Sequence, residues 1–514
     1  MTEPGPVPPA HSGPRGPLPS LAALQQDLAA GRLTSVALTR RCLARIAELN
    51  PVLGAVIMVS PDAEAEAAAR DQARGPQAGP LHGIPVLIKD NIAVRGLPAT
   101  AGSPAQQDAE SGDSFLITRV RAAGGVILGK ANLSEWANFR STASTSGWST
   151  LGGQAANPHA LDRNPSGSSS GSAVAVAAGL APAAVGTETD GSIVCPASAC
   201  GVVGIKPTLG LVSRHGIVPI SAQQDTAGPM ARTVADAATL LGVLAGPDPG
   251  DPATAAAAGQ PASYAGFLDP GALDGARIGV WRDGYGQAGL ATRAVLDRAI
   301  GMLRAAGATV ADPVELPGVA GIEAPEFTAL LHEFKHGINQ YLGELPGRHP
   351  RSLAELIDFN QQYARSVLTH FGQETLVRAE ATSGDLLDPV AAAARAEAGR
   401  LARAALDGPL ASHGLDAIVS LTANPASLTD YLLGDHDVFH TSGPAAVAGY
   451  PAISVPAGQV SGLPVGLTFA GPAWSEPRLI ALAHSFEQAA GAPLRPSLRG
   501  TVGAAADGRP VARL

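Results

Sequence analysis

Cysteine, aromatic residues and charged residues are all scarce in this chain. Aromatic side chains make up 4% and charged side chains 15% of its 514 residues. The three cysteines, Cys42, Cys195 and Cys200, are an odd number in a long chain, so they imply no disulfide framework. Reduced thiols and a cytoplasmic location are therefore predicted. Cys195 and Cys200 lie among small apolar residues and are predicted to be inert, and two thiols do not make a metal site.

Clusters of positive charge and long apolar runs are also missing. The net charge is −9, and no group of Lys and Arg residues forms the patch that phosphate contacts require. The longest weakly polar run, residues 173–186, is interrupted by Gly179 and Pro182 and is shorter than the ~20 residues of a membrane span. These absences disfavour a general nucleic-acid binder and predict no membrane segment.

The two ends of the chain are predicted to lie outside the folded domain. Residues 1–19 are rich in Pro and Gly and lack the basic start and apolar core of an export signal, so they are expected to form a flexible arm. Residues 20–495 are expected to form one domain, and residues 496–514 a C-terminal tail. Within the domain, residues 248–260 have the composition of a linker.

Apolar residues, Gly and Pro are abundant, which predicts a large core with many turns. Hydrophobic residues make up 45% of the chain, with 61 Gly and 43 Pro. A continuous apolar run at residues 84–89 predicts a buried strand, and strands and helices alternate on both sides of the middle of the chain. The fold class is therefore α/β. Three long helical stretches between residues 327 and 406 are expected to form a helical wall.

Two turns rich in Gly and Ser lie within residues 163–208. The first spans residues 167–171, GSSSG, and the second spans residues 190–192, DGS. Between them, residues 173–178 predict a tightly packed helix that ends at Gly179. Gly lets the backbone approach a ligand closely, so such turns suit a serine nucleophile beside an oxyanion hole. A flexible linker would not contain this apolar run.

Residues 163–208 resemble the signature of the amidase signature family. Ser168 falls on the family's bridging serine, which follows a cis peptide bond, Ser169 falls on its neighbour, and Ser192 on the nucleophile. The family also needs a lysine at the end of an apolar strand, and Lys89 matches it. The resemblance spans about residues 20–490 and implies a single large domain with a mixed β-sheet flanked by helices on both faces. It implies no cofactor and no metal.

The resemblance also assigns roles to the site residues. Lys89 would be held neutral by burial, Ser168 would relay a proton, and Ser192 would attack the carbonyl carbon. The backbone N–H groups of residues 189–192 would form the oxyanion hole, helped by a helix that starts near Ser192. Substrate contacts, or support for them, are expected from Ser169, Asn132, Trp136, Asp190, Gln223 and Asp225. The oxyanion-hole residues are Thr189, Asp190, Gly191 and Ser192.

The second turn and residues 134–140 are similar to the peptide amidase branch of this family, which removes ammonia from C-terminal peptide amides. Asp190 stands where many family members have Gly. The expected substrate is a peptide or an N-acylated amino acid with a C-terminal carboxamide, and the expected enzyme is a monomer or homodimer. Other small or aryl amides, and a role as the amidase component of a tRNA-dependent amidotransferase, remain alternatives.

Two further motifs predict competing chemistry. Residues 332–336, HEFKH, match the H-E-x-x-H pattern of zinc peptidases, with Glu355 or His349 as a third ligand; alternatively, they form one amphipathic helix with structural histidines. Residues 167–171 also match the nucleophile elbow G-x-S-x-G, but no apolar strand precedes them. Both patterns are less specific than the combination of Lys89 with the two serine turns.

Overall fold

The computed structural model describes residues 18–73, 75, 78–282, 288–491 and 495–503. Almost all of the predicted N-terminal arm and the greater part of the predicted C-terminal tail lie outside the described residues. In chain order, the strands β1 to β13 are Val56–Val59, Pro85–Lys89, Val126–Ala131, Trp148–Ser149, Gly153–Gln154, Ala183–Glu188, Val203–Lys206, Thr226–Ala231, Arg277–Val280, Thr309–Ala311, Ala417–Leu421, Ala452–Val460 and Leu463–Ala470.

The helices surround a sheet built from most of these strands. In chain order, α1 to α15 are Leu21–Ala29, Ser35–Leu53, Ala63–Gln72, Phe115–Ala122, Ser170–Ala177, Val194–Cys200, Val234–Leu244, Leu290–Ala305, Glu323–Glu344, Leu353–Gln362, Ala364–Val367, Glu374–Glu380, Pro389–Ser412, Gly443–Ala448 and Glu476–Ala490. Within the described ranges, no helix is both long enough and apolar enough to cross a membrane.

Eleven strands form one mixed sheet. Their order is β1-β3-β2-β6-β8-β7-β12-β13-β11-β9-β10. β2 is parallel to β3 and β6, and β9 is parallel to β10 and β11, whereas β8 is antiparallel to both β6 and β7. The predicted α/β domain with a mixed sheet is therefore confirmed. β2 and β6 are interior strands of the sheet, and all their residues are buried.

Small residues let α5 lie close to this sheet. All of its residues from Ser170 to Val176 are buried. A Cβ atom on Gly171 would lie 2.3 Å from the carbonyl oxygen of Ala55 and 2.4 Å from that of Asn132, so a larger residue cannot fit there. The helix is followed by Gly179 with φ +69, as its predicted end requires. This packing places the first serine turn over the end of β2.

The helical wall is longer than the sequence predicts and has its own core. It runs from α9 to α13 and includes α12, a short helix that the sequence pattern did not predict. A second cluster of buried residues contains Phe334, Ile338 and Leu356 of the wall together with Trp136 and Phe139. The wall therefore packs against the segment that follows β3.

Residues 248–260 do not form a linker. Asp248, Asp251 and Thr254 are buried, and residues Pro252–Gly259 form a 3₁₀ helix. Asp251 accepts hydrogen bonds from the side chain of Arg214, and Thr254 Oγ accepts one from Asp248 N at 2.7 Å. The prediction from composition was wrong because buried polar contacts, which composition does not report, fix this segment to the domain.

Candidate active site

Lys89 ends β2 in a fully buried position with three polar neighbours. Its Nζ lies 2.7 Å from Ser168 Oγ, 2.9 Å from Thr187 Oγ1 and 3.1 Å from the Thr187 carbonyl oxygen. Burial lowers the pKa of Lys89 from 10.5 to about 7, and the nearby carboxylates of Glu188 and Asp225 oppose this shift only in part. Lys89 is therefore able to exchange a proton near neutral pH.

The neighbours of Lys89 suit a neutral amine. A neutral Nζ has two hydrogens and one lone pair. The Thr187 carbonyl can only accept a hydrogen bond, and Thr187 Oγ1 also receives one from Asn91 Nδ2 at 2.9 Å. When both hydrogens point to Thr187, the lone pair of Lys89 faces the Ser168 hydroxyl. In that arrangement Lys89 can accept the hydroxyl proton of Ser168.

The first serine turn is held against the second one. Ser169 N donates to the Ser192 carbonyl at 3.1 Å, and Ser169 Oγ donates to the Thr187 carbonyl at 3.0 Å. The peptide bond between Gly167 and Ser168 is cis. Ser168 is fully buried, whereas Ser192 is 8% exposed and lines a cavity. The two turns therefore form a single unit that has Lys89 behind it and Ser192 in front.

The second turn offers free backbone donors. Within the described part of the chain, the N–H groups of Asp190, Gly191 and Ser192 have no hydrogen-bond acceptor. Gly191 has φ +77, and a Cβ atom there would lie 2.9 Å from both Cys195 Sγ and Ser442 Oγ. Glycine is thus required at this position. Donors of this kind can stabilise a negatively charged oxygen.

A carboxylate already caps the helix that follows the turn. Glu188 Oε2 accepts hydrogen bonds from Ile193 N at 2.7 Å and Val194 N at 3.0 Å. Burial raises the pKa of Glu188, and the cation of Lys206 opposes that shift. From the sequence, the positive end of α6 was expected to support the oxyanion hole. Glu188 instead accepts hydrogen bonds from the first N–H groups of this helix, which leaves the N–H groups of the turn as the free donors.

Ser192 opens into a cavity of about 190 Å³. One side is apolar and consists of Phe139, Ile220 and Leu330. The larger groove of the molecule, about 670 Å³, lies between residues 104–108 and 348–367 and contains none of the predicted catalytic residues. The small cavity is therefore the candidate binding site for a substrate.

The predicted residues Asn132 and Trp136 do not line this cavity. Asn132 is buried and donates to the carbonyl oxygens of Gly54 at 2.9 Å and Gly153 at 3.1 Å. Trp136 is 2% exposed, has φ +51 and packs in the second core cluster. Both residues shape the segment after β3, and Phe139 is the aromatic residue of that segment that reaches the cavity.

Gln223 is exposed and does not line the cavity, whereas its neighbour Gln224 supports the second turn. Gln224 is buried, and its Nε2 donates to Glu326 Oε1 at 2.7 Å and to the Thr189 carbonyl at 3.4 Å. The pattern identified the right turn but the wrong residue, because the sequence does not show which of two adjacent amides points inward.

Asp225 lies behind the second turn. Its Oδ1 accepts a hydrogen bond from Thr189 Oγ1 at 2.6 Å, and its Oδ2 accepts from Ile220 N at 2.8 Å and Ser221 N at 2.9 Å. Burial raises the pKa of Asp225 to about 6 despite these bonds. The residue supports the turn and does not line the cavity.

Asp437 and His440 line the cavity but were not predicted from the sequence. They lie in the long loop between β11 and α14, about 245 residues after Ser192 in the chain. His440 Nδ1 is 2.9 Å from Ser442 Oγ, and Ser442 packs against Gly191. No local pattern marks this loop, so only the folded chain connects it with the site.

The HEFKH motif lies on α9 and joins this helix to later segments of the helical wall. Glu333 forms two hydrogen bonds with Arg395 of α13, at 2.7 and 2.6 Å. His332 Nδ1 lies 3.3 Å from Ser383 Oγ, and His336 Nδ1 lies 3.2 Å from the Gly384 carbonyl. Among the described residues, no group of three or more His, Cys, Asp or Glu side chains could hold a metal ion. These contacts favour the structural interpretation of the motif.

Known proteins resemble this chain over most of its length. The sequence model of the Amidase family matches residues 37–480. The crystal structure of native peptide amidase from Stenotrophomonas maltophilia is 51% identical, with a TM-score of 0.88, and the match covers 93% of this chain and 98% of that one. A probable amidase of Arabidopsis thaliana is 42% identical over 472 residues, covering 89% of this chain and 87% of the plant protein. A glutamyl-tRNA(Gln) amidotransferase component from Symbiobacterium thermophilum is 35% identical over 492 residues, covering 91% of this chain and 96% of that protein.

Proposed function

This chain belongs to the amidase family and is an amidase that hydrolyses C–N bonds, and we propose that its substrate is the C-terminal carboxamide of peptides or N-acylated amino acids. The proposed products are the free acid and ammonia. The observation that carries the proposal is the buried contact of Lys89 Nζ with Ser168 Oγ at 2.7 Å, directly behind the turn that holds Ser192. The similarity to a peptide amidase supports the choice of substrate.

In the proposed mechanism, Ser192 Oγ attacks the carbonyl carbon of the amide. Its proton passes to Ser168 while Ser168 gives its own proton to the neutral amine of Lys89. The carbonyl oxygen becomes an oxyanion, and the N–H groups of Asp190, Gly191 and Ser192 donate to it. Ser168 thus transfers the proton without remaining charged.

Collapse of the tetrahedral intermediate breaks the C–N bond. Lys89 returns its proton through Ser168 to the leaving nitrogen, which departs as ammonia and leaves an ester on Ser192. A water molecule then attacks this ester and passes a proton back along the same route. The release of the acid restores the Ser192 hydroxyl and the neutral amine of Lys89.

Charge in the cavity favours peptide amides over free glutamine. Two carboxylates, those of Asp190 and Asp437, line the cavity, and its described lining contains no Lys or Arg. Glutamine, the amide that an amidotransferase deamidates, is a zwitterion: acidic residues of the cavity can pair with its α-ammonium group, but its carboxylate would need a cationic partner that the described lining lacks. A peptide amide or an N-acylated amino acid amide has no such charge next to the reacting carbonyl.

Mass spectrometry of defined substrates tests this proposal. A peptide amide, its free acid, a longer peptide with the same sequence inside it, and glutamine are incubated with the enzyme and with Ser192→Ala. We expect the first to gain about 1 Da through loss of ammonia and gain of water, with the others unchanged. Internal cleavage, or turnover of glutamine alone, would contradict the proposal.

A further inference from the structure

We infer that Asp437 is a specificity-determining residue that favours substrates with a positive charge on the acyl side of the reacting amide. This inference rests on the proposed function and deepens it, because it names the chemical class of the acyl group. The group recognised is an ammonium or guanidinium ion. It can come from the side chain of the C-terminal residue or from a free α-amino group.

Asp437 is held in place by anchors on either side of it in the loop between β11 and α14. On one side, Asp435 Oδ1 accepts hydrogen bonds from Ser146 N at 2.8 Å and Asn164 Nδ2 at 2.9 Å. On the other side, Val438 N donates to Asn424 Oδ1 at 3.1 Å. The backbone of Asp437 is therefore fixed, although the residue itself is exposed. Such a carboxylate requires little ordering when it binds a ligand.

The carboxylate of Asp437 has no partner within the described part of the chain. It lines the same cavity as Ser192, together with Asp190 and His440. The cavity measures about 190 Å³, so Asp437 and Ser192 line one small space, and a residue whose amide lies at Ser192 also comes near Asp437. A cation on that residue can reach it.

Among the described residues, no Lys or Arg side chain lines the cavity beside this carboxylate. Lys89 and Lys206 are buried behind the sheet ends and do not line the cavity. Arg395 is occupied by Glu333, to which it forms two hydrogen bonds. The negative charge of Asp437, with that of Asp190, therefore acts on whatever enters the cavity.

A set of matched amides tests the inference with the intact enzyme. Its members are N-acetyl-lysine amide, N-acetyl-norleucine amide, the α-amide of N-acetyl-glutamate, and norleucine amide with a free α-amino group. We expect kcat/KM to be about threefold to fivefold higher for the lysine than for the norleucine compound, mainly through KM, which is the usual size of an exposed charge pair. A gain for the free α-amino compound instead assigns the recognised charge to the α-ammonium. The glutamate compound is expected to be the poorest substrate.

The variant Asp437→Asn should remove most of the preference between the cationic and neutral compounds, and about 0.5 M salt should weaken it in the unaltered enzyme. Asp358→Asn, which alters a carboxylate in the distant larger groove, is the control and should leave the preference unchanged. An unchanged preference in Asp437→Asn, or equal rates for all four amides, overturns the inference. If none of the four is hydrolysed, the proposed function itself fails.

Discussion

The two serine turns and the loop that carries Asp437 line the same cavity but differ in burial and composition. The turns are buried, consist of small residues and are fixed by backbone hydrogen bonds, such as that from Ser169 N to the Ser192 carbonyl. The loop is largely exposed and includes Leu432 at 90% and Leu433 at 74% exposure. In the proposed mechanism, the reaction chemistry belongs to the buried turns, here called the rigid side, and the choice of substrate to the loop, here called the exposed side.

The largest expected effect comes from replacing residues of the rigid side. Ser192→Ala should lower kcat by about four orders of magnitude or more, because the nucleophile is lost. Lys89→Ala and Ser168→Ala should come close to this loss, and the double variants should be no worse, because the three residues act as one unit. Steady-state ammonia release measures this, with Ser366→Ala at an exposed position of the wall as the control.

Retention of most activity by Ser192→Ala would contradict the assignment of the nucleophile. Ser169 would then be the next serine to replace, although its Oγ is already hydrogen-bonded to the Thr187 carbonyl. Circular dichroism of each variant separates a loss of chemistry from a loss of folding.

The rigid side could be predicted from the sequence and the exposed side could not. Lys89, Ser168 and Ser192 lie in short segments that resemble the family signature, and the structure brings these segments together. Asp437 lines the site only because its loop is fixed to segments that are distant in the chain, as in the hydrogen bonds that Asp435 accepts from Ser146 N and Asn164 Nδ2. Gln223 was confused with Gln224 because two neighbouring amides in a turn differ only in direction.

The outline of the fold could also be predicted, because local sequence patterns mark the strands and the ends of helices. Continuous apolar runs identified buried strands such as β2, and Gly179 marked the end of α5. The order of the eleven strands depends on contacts between distant segments and is not encoded in any local period. The short helix α12 was missed because its seven residues are fixed by packing on the wall.

Thr187→Val should produce the next largest effect and tests whether the contacts of Lys89 matter beyond the presence of the amine. The variant removes the acceptor that Nζ reaches at 2.9 Å and that Asn91 Nδ2 reaches at the same distance. Leaving a buried donor unpaired costs about 1–3 kcal/mol, so kcat should fall by about tenfold to a hundredfold. Val keeps the shape of Thr but leaves the same donors unpaired in the folded state, so the free energy of unfolding should also fall, by about 1–3 kcal/mol. A kcat within about twofold of the unaltered enzyme would show that the Thr187 hydroxyl is dispensable.

The pH dependence of kcat/KM tests whether Lys89, on the rigid side, is the group that accepts the proton. Because burial lowers the pKa of Lys89 to about 7, the neutral form that accepts a proton is lost below that pH. The rate should fall by about tenfold per pH unit on the acid side of pH 7 and level off above it. The lowered pKa also makes the free energy of unfolding depend on pH. Between pH 7 and 10.5 the unfolded chain binds a proton at Lys89 that the folded chain lacks, so the free energy of unfolding should rise with pH. Thermal unfolding of the enzyme and of Lys89→Met across this range measures the difference, and parallel curves for the two would refute it.

The smallest expected effect concerns the contact between the helical wall and the rigid turns. Arg395→Met removes the ion pair with Glu333 and the hydrogen bond that Arg395 donates to Gln224 Oε1. The Nε2 of Gln224 in turn donates to the Thr189 carbonyl. The side chains of Arg395 and Glu333 are 18% and 8% exposed, so the free energy of unfolding should fall by about 1–3 kcal/mol, between the values for exposed and fully buried pairs. The kcat should fall by less than about tenfold, because the turns keep their own backbone bonds. Arg400→Met, which breaks an exposed pair on the same helix, is the matched control and should change stability by less than about 1 kcal/mol.

A chelator tests the alternative role of Glu333 and its flanking histidines and should leave the turnover of the unaltered enzyme and of Arg395→Met unchanged. If a chelator abolished activity and zinc restored it, these residues would bind a metal ion, and Glu333 would not act only through its pair with Arg395.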